Sequence, residues 1–168
     1  MKFVNDVAED MNLSADIIKF EKQDDGTVLV YGKATDDTLD IDKQIADSDW
    51  LAKAMPEWFE SAGNIRDMHQ SSAAGKAVQY EAKQDGHYIK ALVVDPVAVK
   101  KVEHGVYTGF SIGIRGARVA HDTKAVGGRI VDGQIVEISL VDRPANPSAK
   151  FVMAKSVDGE LKKVEETV

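Results

Sequence analysis

No cysteine occurs among the 168 residues, which removes disulfides, thiolate nucleophiles and cysteine-based zinc sites together and fits a reducing compartment. A cysteine protease is thereby excluded. Basic charge is also short: 21 Lys and Arg stand against 28 Asp and Glu, for a net charge of -7, and no basic run is available to grip phosphates. Nucleic acid is not an expected partner. The opening Met1-Lys2-Phe3-Val4-Asn5-Asp6 turns acidic too soon for a secretory signal, and no apolar stretch approaches membrane-spanning length. A soluble, intracellular protein with no membrane partner is expected. Internal repeats, low-complexity segments and HExxH-type ligand spacing are missing as well, so no metal or cofactor is expected.

What the chain does have is 43% hydrophobic content, enough for one core and one domain at this length. Ile17 to Phe20 and Thr27 to Gly32 flank Asp24-Asp25-Gly26, a tight-turn signal that predicts a hairpin. After the acidic stretch 36–42, Trp50, Leu51, Ala54, Met55, Trp58 and Phe59 recur at helical spacing, with Ser48 or Asp49 as N-cap and Gly63 as the stop. Pro56 predicts a kink, or two short helices meeting there. Strands are expected at 65–69, 76–82 and 87–94, the last two joined through Gln84-Asp85-Gly86. Asp95-Pro96 reads as N-cap and first position of a short helix carrying Val99 and Val102 and ending at Gly105. Segments 107–114 and 134–141 read as strands, with 120–133 between them as loop or hairpin. From about Lys155 the chain is charged and weakly periodic, which predicts a tail or frayed helix at 155–168 beyond a domain at 1–154. The fold class is α+β, mainly antiparallel β with two or three helices, as a small barrel, a curved sheet or a sandwich.

The chemistry centres on Gly109-Phe110-Ser111-Ile112-Gly113-Ile114. Alternation puts Phe110, Ile112 and Ile114 on one face and Ser111 on the other, between two glycines that would let a substrate backbone come close. A nucleophile at a cleft fits this pattern, and so does a glycine-rich strand with a satisfied, buried serine. His69 fits a general base for Ser111 or a hydrogen-bonded structural residue. Glu137 is the first choice to orient it, because the alternation of Val136, Ile138 and Leu140 sends this acid the other way, where it needs a partner or water. His121 and Asp67 are the reserves. His87 follows a turn and His104 ends a helix, and neither reads as catalytic. The turn-rich Asp142-Arg143-Pro144-Ala145-Asn146-Pro147 could supply oxyanion donors, Arg143 among them, or could be an ordinary turn held by an Asp–Arg pair.

The succession 49–56, Asn64 to Gln70, 95–102, Tyr107 to Gly113 and Glu137 to Pro147 resembles tailed-phage prohead, or capsid maturation, serine proteases, from about Val30 to Phe151. That family is similar in fold to herpesvirus assemblin, which implies a small closed or partly closed β-barrel ringed by helices. The resemblance implies His69 and Ser111 as the family pair, then a third member and an oxyanion-loop arginine, in the positions of Glu137 and Arg143. In assemblin the third member is histidine, so Glu137 departs from that pattern. It further implies an endopeptidase that acts through an acyl-enzyme inside the procapsid, in the host cytoplasm, on scaffold protein or the scaffold-like segment of the major capsid protein. Self-cleavage and a homodimer belong to the same expectation. The alternative is a protease-like assembly module that binds scaffold or capsid protein without cutting it.

Overall fold

The structure is a computed structural model that describes residues 1–5, 8–40, 42–143, 151–157 and 160–166. Strand β1 (Glu9–Lys22) turns through Asp25-Gly26 into β2 (Val28–Thr35), as the Asp-Gly signal predicts. β1 begins well before the expected position and carries a bulge: Ile17 pairs Gly32 but Lys19 pairs Tyr31. That extra residue changes which positions face inward, so Leu13 and Ile17 are buried ahead of it and Phe20 after it. The short β3 (Gln44–Ala46) leads into helix α1 (Ser48–Ser61).

Asp47, not Ser48 or Asp49, caps α1, its carboxylate accepting the Trp50 N–H at 3.2 Å. The helix also runs unbroken through Pro56. Packing of Trp50, Leu51, Ala54, Met55 and Trp58 outweighs the one backbone bond that proline removes. Gly63, at φ +57, closes the helix by donating to the Trp58 carbonyl.

β4 (Asn64–Asp67), β5 (Ala73–Lys83) and β6 (Gly86–Val93) follow, then α2 (Pro96–Glu103), capped by Asp95 with Pro96 in its first turn, as expected. β7 (Gly109–Asp122) and β8 (Ala125–Val141) form one long antiparallel hairpin. The 120–133 stretch lies largely inside it. Its glycines are accommodated within the strand: Gly128 and Gly133 sit at φ +92 and +138, next to shifts in the β7–β8 register. β9 (Phe151–Val157) and β10 (Glu160–Glu166) pair as a separate hairpin. A helix or tail was expected there, with a boundary at 154.

Eight strands form one mostly antiparallel sheet, in which β3 and β4 lie parallel to β8. From β8 the pairing passes through β4, β5, β6, β2 and β1 to β7, which again pairs β8. The sheet therefore curls upon itself, yet it is not a fully closed barrel. β1 gives positions 9–16 to β7 and positions 17–22 to β2, and the two neighbours overlap only at Ile17, which pairs Gly32 while its N–H donates to the Thr108 carbonyl. Val30, Ile65, Ile89, Phe110, Ile112, Ile130, Ile138 and Leu140 fill the core with the buried stripe of α1. Among the described residues no helix is long and apolar enough to cross a membrane.

Candidate active site

Three strands meet where the sequence placed its polar residues. β8 lies between β4 and β7, and Ser139 pairs both Arg66 on one side and Ser111 on the other. Alternation sends Phe110, Ile112, Ile138 and Leu140 into the core. Ser111 and Gly113 on β7, with Glu137 and Ser139 on β8, therefore share the opposite face.

β4 delivers the histidine through a constrained turn. The Met68 N–H donates to the Leu140 carbonyl at 3.0 Å, continuing the parallel ladder by one bond, and Gln70 N–H closes back onto Asp67 at 2.8 Å. Met68 and His69 between them both adopt left-handed backbone, at φ 47 and 59. Neither is glycine, so the local conformation is strained and must be held from outside. One hold is the His69 N–H, which donates to Ser139 Oγ at 3.0 Å.

The turn brings the His69 ring across the face. Its Nε2 lies 2.8 Å from Ser111 Oγ and its Nδ1 lies 2.5 Å from Glu137 Oε1. With Glu137 ionised, Nδ1 carries the imidazole proton and Nε2 is left to accept from the serine hydroxyl. Glu137 is 4% exposed, and its other oxygen, Oε2, accepts from the Ser139 hydroxyl at 2.7 Å. Both oxygens of this buried carboxylate are thus satisfied. Ser111 and Ser139 are fully buried, while the His69 side chain keeps about a fifth of its surface exposed.

Gly113 makes room for the acid. A Cβ at this position would lie 2.2 Å from Glu137 Oε1. The missing side chain accommodates Glu137, where the sequence suggested the approach of a substrate backbone.

The structure brings His69, Ser111 and Glu137 together and leaves the other candidates apart. Asp67 instead accepts from the Tyr107 hydroxyl at 2.8 Å. Burial, aided by that bond, pushes the Tyr107 hydroxyl well above its ordinary pKa, so it stays a donor. His121 is exposed near the end of β7, with its N–H on the Lys2 carbonyl. His104 caps the C-terminus of α2. His87 stacks on Tyr80, whose hydroxyl lies 2.7 Å from His87 Nδ1, and burial lowers its pKa. Arg143 is exposed, two residues past β8. The remainder of the expected oxyanion loop, 144–147, lies outside the described residues. Ser139 is the participant the sequence reading missed. Its shared parity with Glu137 was visible, but its partner, a backbone N–H seventy positions away, was not. Among the described residues no group of three or more His, Cys, Asp or Glu is placed to hold a metal.

No protein-family model matches the chain, and no curated protein does. Among solved structures, that of the bacteriophage T4 capsid assembly protease, gp21, is similar, with a TM-score of 0.63 over 83% of this chain and 100% of that one. Sequence identity is 12%, so the likeness is one of fold.

Proposed function

We propose that the chain is a serine endopeptidase of phage capsid maturation, in the family of prohead proteases and related to assemblin. The observation that carries this reading is the continuous hydrogen-bonded series Ser111–His69–Glu137, set in a fold like that of a capsid assembly protease. Ser111 Oγ attacks the scissile carbonyl while His69 Nε2 takes its proton. Glu137 holds the ring in register and stabilises the imidazolium that forms. The imidazolium then protonates the departing amine, leaving an acyl-enzyme, and a water activated by the same imidazole releases the acid. Arg143 is the candidate to stabilise the oxyanion. Scaffold protein, or a scaffold-like segment of the major capsid protein, is the substrate, and this chain itself is another. Cleavage takes place within the assembling procapsid in the host cytoplasm.

Fluorophosphonate labelling with peptide mass mapping tests the nucleophile. An adduct on Ser111 is expected, and Ser111→Ala and His69→Ala should each abolish it while leaving the protein folded. Full burial of Ser111 favours one rival, an assembly module in which the hydroxyl is only structural. Absence of an adduct even with scaffold and capsid protein present would establish that rival.

A further inference from the structure

Ser139 is a small residue with unusual company. It has no exposed surface, and its one hydroxyl makes two bonds. The hydroxyl proton goes to Glu137 Oε2 at 2.7 Å, and a lone pair takes the His69 backbone N–H at 3.0 Å. A buried serine is satisfied by any one partner. Here the two partners are the base and the acid of the proposed site, 70 and 2 positions away. They are also the groups that most need fixing. The His69 backbone is left-handed, a conformation that persists only where surrounding bonds enforce it. The Glu137 carboxylate can turn about its terminal torsion, which is broad for a glutamate. With Oε1 on the imidazole and Oε2 on Ser139, both ends of that rotation are fixed.

We propose that Ser139 is a positioning residue for the reaction, setting the Glu137 carboxylate plane and the His69 turn with a single hydroxyl. This rests on the serine-protease reading. Removing the hydroxyl leaves the His69 N–H without its acceptor and Oε2 without its donor, and both catalytic groups gain freedom at once. The Ser111 hydroxyl makes no bond to Ser139, its cross-strand neighbour, and keeps its own partner, His69 Nε2. The loss therefore falls on the chemical step and not on binding.

Labelling of Ser111 by a fluorophosphonate reads this directly. In Ser139→Ala the rate of covalent capture should fall roughly 10- to 100-fold, the scale that misplacement by about 1 Å imposes, with the concentration for half-maximal rate unchanged. In a Glu137→Ala background the same substitution should cost markedly less, because the part that runs through that carboxylate is already gone and only the hold on the His69 N–H is left to lose. Labelling at the wild-type rate overturns the proposal, and so does an equal cost in both backgrounds. Ser139→Cys keeps the shape with a poor donor, and it gives the same reading should the alanine variant fold badly.

Proton NMR separates this question from whether the chain is a protease at all. The short His69 Nδ1–Glu137 contact should give a downfield proton resonance in the wild-type protein, and that resonance should shift or broaden in Ser139→Ala. An unmoved resonance overturns the role of Ser139. Failure of wild-type protein to label at Ser111, with the resonance responding, would sink the protease reading alone.

Discussion

Gly113 and Glu137 face one another across the β7–β8 ladder, and the carboxylate occupies the space a side chain would take. Gly113→Ala should push Oε1 off the imidazole, because a Cβ 2.2 Å away is far inside van der Waals contact. The Glu137 side chain is flexible enough to move, so the fold should survive with a loss of about 1–3 kcal/mol. Fluorophosphonate labelling should drop steeply, and unchanged labelling would show that Glu137 does not act through His69. At this scale the sequence was largely readable. Strand parity placed Ser111 and Glu137 on one face, since alternation is a local property. The left-handed pair Met68-His69 was not readable, because its residue types give no hint of it and long-range bonds to Leu140 and Ser139 impose it.

Among the elements, α1 shows how local signals compete. Three successive acceptors, Asp47, Ser48 and Asp49, could each cap it, and the choice falls on Asp47. There its N–H bonds the Ile130 carbonyl and its carboxylate also reaches Arg129 at 3.3 Å. Tertiary contacts thus decide a boundary that propensity leaves open by a residue or two. Asp47→Ala should lower stability by about 1 kcal/mol, read as a drop in the urea midpoint with unchanged slope. Most of that cost is the cap, since the ion pair to Arg129 is partly solvated. Ser48 already lies within the helix, and Ser48→Ala should be nearly silent in the same assay. The hairpins at 22–28 and 83–86 and the capped α2 were legible for the same local reasons. The continuous β7–β8 hairpin was harder to see, because glycines that signal loops also serve strand irregularities.

For the whole molecule, the pairing order was the least legible feature. Nothing local announces that β4 runs parallel to β8, or that β1 shares itself between β7 and β2. Stability of the assembled sheet should respond to His87, whose pKa burial holds low despite Asp37 and Asp36. As pH falls through about 6.5 the unfolded chain protonates this residue first. Native protein follows only at lower pH, so the folded state loses ground across that window. His87→Gln should flatten this part of the profile, measured as urea midpoints at about pH 7.5 and about pH 5.5. An identical pH response in both proteins would contradict it. The strand order has another consequence, for the time before the protein is finished. His69 lies 42 positions from Ser111 and 68 from Glu137, and only the pairing of β4, β7 and β8 closes those gaps. A ribosome that has not yet released β8 therefore holds a chain with no assembled nucleophile. The proposed site is assembled only once β8 has emerged and paired with both β4 and β7.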